Sequence, residues 1–167
     1  MSGGGPTGAG SAELQIEPVR SEHAERLREL RTVPEVARWW DPPPDDWPLV
    51  DEPDLQVFAI LVDGEPAGAI QFWEEPDPGG RFADVDIFLG PDHQGRGLGT
   101  EAMRLIVRHL VDDRGHHRVT LSTAVDNARA IHVYEKVGFR PVGVTHKSNL
   151  NELSGKWEDE LLMEYVV

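Results

Sequence analysis

The sequence predicts an α+β domain, a mixed sheet of six to seven strands flanked by about four helices. Three observations lead there. Short β-rich or alternating runs recur along the chain. Four other segments repeat their apolar residues every three or four positions. Near the middle, an apolar strand-like run passes directly into a glycine-rich turn and a helical segment, Asp84 to Thr100. The 167 residues suit one domain, expected over 13–167, with a single core.

Residues 1–12 are small and polar and predict a disordered tail. Leu14 and Ile16 alternate with polar neighbours in a strand reaching Val19. Ser21 stands where an N-cap belongs, and Ala24, Leu27 and Leu30 predict helix 22–31. Pro34 suits the start of a second short helix carrying Val36, Ala37, Trp39 and Trp40. Asp41 to Asp54 holds five prolines and reads as an irregular loop. Gln56–Val62 and Pro66–Trp73 are strands joined by the hairpin turn Asp63-Gly64, and Glu74–Arg81 is an acidic loop. After the strand into the glycine turn, Leu98, Ala102, Leu105, Ile106 and Leu110 mark one face of a helix to about Val111. Val119–Ser122 is a strand, Asn127 caps a helix that Gly138 stops, a β run continues through Val144, and Trp157–Val167 is the last strand.

Composition narrows the function. A net charge of -14, from 30 acids against 16 bases, disfavours nucleic acid and anionic membranes and favours a cationic partner, although solubility alone also accounts for it. No apolar run is long enough to span a bilayer and no leader pattern is present, so the expected location is cytoplasmic. The absence of cysteine excludes disulfides, thiolate metal sites and an acyl-cysteine intermediate. The seven histidines form no ligand pattern and no metal is expected. Exposed β edges and tryptophans leave room for a homodimer.

The Asp84–Thr100 unit has the form of an anion cradle: glycines let successive backbone N–H groups converge, and a helix N-terminus adds its positive end. No lysine follows the last glycine, so the unit is not a P-loop, and the dinucleotide spacing G-x-G-x-x-G is absent. A ligand-free turn would share the pattern. What stands is Gln94-x-x-Gly97-x-Gly99. A second segment, Asn127-Ala-Arg-Ala-Ile-His-Val-Tyr134-Glu-Lys-Val-Gly138-Phe139, follows about 30 residues later. Together the two resemble the paired signatures of the GNAT N-acetyltransferase superfamily. A narrower likeness, to aminoglycoside 6′-N-acetyltransferases, runs through Val36–Trp40, Val85–Leu89, Ala128–Ile131, Tyr134–Phe139 and Gly155–Tyr165.

The resemblance implies a mostly antiparallel sheet and acetyl-CoA as co-substrate, its acetyl group passing to a primary amine by direct attack in a ternary complex. It implies that Gln94, Gly95, Arg96, Gly97, Leu98, Gly99 and Thr100 hold the pyrophosphate, that backbone near Phe88 and Leu89 meets the pantetheine, and that Asn127 and Tyr134 face the cofactor. Tyr134 matches the superfamily's general acid; a tyrosine stays protonated at neutral pH and can supply a departing thiolate. Asp86 is the candidate base, an acid in an apolar strand beside the acetyl site, with Asp84 two residues away on the same face. A pair of solvated carboxylates is the alternative. Trp40, Trp73 and Glu74, with Asp84 and Asp86, are candidate contacts for a cationic substrate such as an aminoglycoside antibiotic. Ser122 stands where those relatives often carry an aspartate that holds the drug. Other acceptors in view are a lysine side chain, a protein N-terminus or a siderophore-type amine, and a non-catalytic acyl-CoA-binding domain is the reading from another class.

Overall fold

In the computed structural model, which describes residues 12–167, seven strands form one sheet: β1 (Leu14–Pro18), β2 (Leu55–Val62), β3 (Glu65–Glu74), β4 (Ala83–Leu89), β5 (Arg118–Ala124), β6 (Arg140–Asn151) and β7 (Lys156–Val166). Their order is β1-β2-β3-β4-β5-β7-β6, and every neighbouring pair is antiparallel except β4 against β5. Four helices flank the sheet: α1 (Ser21–Thr32), α2 (Pro34–Ala37), α3 (Leu98–Arg108) and α4 (Ala128–Val137). The expected tail lies outside the described residues except for Ala12, which packs half-buried against the core.

Two apolar clusters sandwich the sheet. One gathers Ile70, Phe72 and Val85 with Leu98, Ala102, Met103, Ile106 and Leu110 of the α3 segment and with Tyr134. The other packs Leu27, Leu30, Val36 and Trp47 on Ala59, Ala69 and Phe88. Fully burying each such side chain contributes about 1.5–3 kcal/mol, so the stripe on α3 is ample to fix that helix. Asp63 and Gly64 turn the β2–β3 hairpin with φ of 50° and 83°, the left-handed pair that matches strand twist. Two details differ from expectation. The N-cap of α1 is Arg20 rather than Ser21, because the His23 ring accepts the Arg20 backbone N–H through Nδ1 at 3.1 Å. β6 runs on to Asn151 as an exposed edge strand whose pairing with β7 is interrupted by two register shifts.

The contact of β3 with β4 has no slack at Gly68, where a Cβ would lie 2.1 Å from the Phe88 carbonyl oxygen. Gly68→Ala is expected to cost about 3 kcal/mol of stability, since the obstacle is backbone; a denaturant melt within about 0.5 kcal/mol of wild type would contradict this packing.

Candidate active site

The parallel ladder between β4 and β5 consists of Ala83↔Val119 and Asp84↔Thr120. Past Asp84 the strands part, leaving the β5-facing edge of β4 open along Phe88 and Leu89. β4 ends at Gly90, a short turn Pro91–His93 follows, and the chain enters Gln94–Thr100. Gly95 and Gly97 take φ of 73° and 77° with nothing within 4 Å of where a Cβ would be, so the loop's concave side is bare backbone. Glu101 is the first residue of this helix start to bond back, to the Gly97 carbonyl at 3.1 Å; among the described residues no acceptor meets the N–H groups of Gly97 through Thr100. That set of free donors at the N-terminus of α3 fits a pyrophosphate. The Gln94 amide donates to the Leu89 carbonyl at 2.9 Å and accepts from Arg129 of α4 at 2.7 Å, tying the loop to both β4 and α4. Asn127 caps α4 through the Ala130 N–H at 3.4 Å.

Strand parity assigns the remaining groups to faces. Directly paired residues share a face, so Gln71↔Asp86 and Trp73↔Asp84 lie together on the α1 side, with Phe88 and Thr120. Thr120 Oγ1 donates to Asp84 Oδ2 at 2.5 Å. Burial raises the Asp84 carboxyl above its ordinary value against that bond. Asp86 opens onto the cleft yet is ringed by protein. That desolvation, with the Asp84 charge beside it, lifts its carboxyl to about 6, while Gln71 and Arg31 pull the other way. Glu160 of β7 joins this field: its carboxyl is raised by burial and by Asp84. Tyr134 rises from the opposite face into the same gap. It is buried, and burial first and Asp86 second push its hydroxyl well above the usual tyrosine value. The cleft is open rather than pocketed, and two surface concavities, beside Arg104 and Tyr165 and beside Val19 and Pro48, include neither Asp86 nor Tyr134.

Of the expected substrate contacts, Glu74 is engaged by the protein's own cations and the Trp40 ring meets Arg31. Glu74 has the opposite parity from Trp73 and Asp84, and its carboxylate is taken up by Arg114 and by His116 Nε2 at 2.7 Å. Burial pulls its pKa up, but these partners outweigh it and hold the group below its ordinary value, so Glu74 braces the sheet end. Trp40 does face the acceptor side, packed edge-on against Phe88 at 4.9 Å, but a cation already covers its ring. The Arg31 guanidinium lies 4.9 Å from the Trp40 ring centre and 4.6 Å from that of Trp47, with Nε donating to the Asp41 carbonyl at 3.0 Å. Burial lowers Arg31 to about 10. Arg31, Gln71, Thr120, Glu160 and Arg129 were not singled out by sequence; alternation from Asp86 and Trp73 would have put Gln71 on the right face, while the others come from elements whose packing no local pattern discloses. Among the described residues no group of three histidines or acids is arranged to hold a metal.

A glycine-capped helix beside two parted parallel strands is an arrangement suited to an acyltransferase. Residues 19–139 match the Acetyltransferase (GNAT) family, and the chain belongs to it: it is a GNAT N-acetyltransferase, with acetyl-CoA as co-substrate. Spermidine N(1)-acetyltransferase of Escherichia coli K12 is 27% identical over 140 residues, 78% of this chain and 74% of its own. The L-amino acid N-acetyltransferase AaaT of the same strain is 28% identical over 162 residues, 93% of this chain and 99% of its own. An aminoglycoside N(6′)-acetyltransferase type 1 of Klebsiella pneumoniae is 33% identical over 106 residues, 57% and 52% respectively. Among solved structures, spermidine N-acetyltransferase from Vibrio cholerae in complex with CoA and spermine superposes with a TM-score of 0.80 at 19% identity, over 92% of this chain and 95% of that one. Aminoglycoside acetyltransferase AAC(6′)-Ib in complex with coenzyme A does so at 0.76 and 21%, over 92% and 95%.

An aspartate whose folded-state pKa is raised favours the fold below its unfolded pKa and loses that contribution as pH climbs from about 4 toward 6. Asp86→Asn is therefore expected to melt about 2 °C above wild type at pH 7.5, the cleft's contact with water keeping the gain small, and level with it near pH 3.5. A variant no more stable at pH 7.5 would remove the strain assigned to that carboxylate.

Proposed function

We propose that the protein acetylates a primary amine of a small molecule carrying several cationic groups, of the polyamine or aminoglycoside (6′-amine) type, in a ternary complex with acetyl-CoA. The observation that carries this is the placing of Asp84, Asp86 and Glu160 on one face where β4 and β5 part. Those three carboxylates attract an ammonium and supply negative field for further cationic groups. Glu160, opposite Ala124 and two positions along from Ser122, brings to this face a charge that Ser122 lacks.

The free N–H groups of Gly97–Thr100 suit the pyrophosphate, and the open edge of β4 suits the pantetheine arm. When bound, acetyl-CoA supplies an activated thioester carbonyl. Asp86, with a pKa of about 6, is ionised at neutral pH yet basic enough to take a proton from the ammonium. Taking it discharges one of the two causes that hold Tyr134 protonated, so the Tyr134 hydroxyl becomes a better donor just as a thiolate is released. Base and acid are coupled through the gap between strands.

A second reading has Arg31 behind it. Its terminal guanidinium nitrogens have no carboxylate partner among the described residues, and Asp86 lies within its field. An amine that also bears a carboxylate would use both ends of that pair.

Coenzyme A release measured with acetyl-CoA against spermidine, kanamycin and a set of free amino acids tests these readings. Turnover is expected with at least one of the first two, rising with pH through about 6 as Asp86 ionises, and falling about 100-fold in Asp86→Asn. Turnover confined to amino acids, and lost in Arg31→Gln, would replace the first reading with the second.

A further inference from the structure

We infer that Gln71 is a positioning residue for the transfer, its amide pinned by the Trp47 indole so that its NH₂ end orients the Asp86 carboxylate and favours the ionised form. The inference rests on the role given to Asp86 above. Gln71 and Asp86 are direct cross-strand partners of β3 and β4, which fixes their side chains on one face. Gln71 Nε2 donates to Asp86 Oδ2 at 3.5 Å, and Trp47 Nε1 donates to Gln71 Oε1 at 3.1 Å. An indole N–H can only donate, so the oxygen of the Gln71 amide must face it. Turned over, the amide would set a donor against the indole N–H and an acceptor against the carboxylate, losing both bonds.

Trp47 is a firm anchor for this purpose: it is buried, it packs on Phe88 with ring centres 6.2 Å apart, and Arg31 covers its face. The chain from indole to amide to carboxylate thus transmits the position of the Asp41–Asp54 loop to the reacting side of the sheet. The other charges around Asp86 are Asp84 on its own strand, Glu160 from β7 and Arg31 from α1, and the Tyr134 hydroxyl comes from α4. Asp84 and Glu160 oppose ionisation of Asp86, and Arg31 assists it. Gln71 is the only hydrogen-bond donor to that carboxylate among the described residues.

The test needs no acceptor. The full-length protein, labelled with ¹³C at aspartate carboxyls, is titrated by NMR, and the Asp86 signal is assigned by its loss in Asp86→Asn. The wild-type midpoint is expected near 6. Gln71→Leu should move it upward by about half a pH unit or more, because the ionised form loses its donor. Trp47→Phe keeps the aromatic packing but frees the amide to turn, and should move it the same way by less. Coenzyme A affinity, read by calorimetry, should stay at the wild-type value in both. Midpoints equal to wild type in the variants would overturn the role of Gln71, and Trp47→Phe decides the matter if Gln71→Leu does not fold. A wild-type midpoint near 4 would instead overturn the role of Asp86.

Discussion

Two parallel strands that pair over two residues and then diverge are the constraint on which this molecule depends. A sheet normally consumes every backbone donor and acceptor along its strands. Here the Ala83–Asp84 and Val119–Thr120 pairs close the base of a wedge, and the Thr120 hydroxyl on Asp84 reinforces it from the side chains. Beyond that base the edge of β4 toward β5 is left for another partner, and groups on opposite faces of the sheet come within each other's field. Asp86 belongs to the α1 face and Tyr134 to the α3 and α4 face, yet the Asp86 charge reaches the Tyr134 hydroxyl through the gap and helps keep it protonated.

The acceptor side is costly to the fold. Three carboxylates share a partly desolvated surface, and burial first, then the Asp84 charge, shifts Asp86 and Glu160 upward. The structure offsets this from outside the sheet. Arg31, held between two indoles, supplies the positive charge, and Gln71 the hydrogen bond. The aromatic loop therefore serves the acidic strand. The Trp40 and Trp47 rings stack on a cation that the protein itself supplies.

What was legible in the sequence is what depends on neighbours along the chain. Asp63-Gly64, the glycine turn before Leu98, the Asn127 cap and the Gly138 stop are local conformational demands, and each is met where the residue types place it. The apolar stripe on α3 is local in the same sense. Glu74 shows the limit: its carboxyl chemistry is plain, but its direction follows from strand parity, which requires knowing that β3 continues unbroken through it. Glu160 and Arg31 required knowledge that β7 lies beside β5 and that α1 lies over β4's face. The length of β6 was hidden for a different reason. Beyond Val144 its exposed residues carry no apolar alternation, and only the hydrogen bonds to β7 continue the strand.

Gln94 has a consequence for how quickly the protein can engage its ligand. One amide grips both the end of β4 and the first turn of α4, so the glycine turn is held in shape from two directions. Glycine-rich segments ordinarily have many conformations to lose, and that loss would weaken association each time a nucleotide arrived. With the segment braced, ordering takes place during folding, and successive catalytic cycles begin from a receptor that is already set.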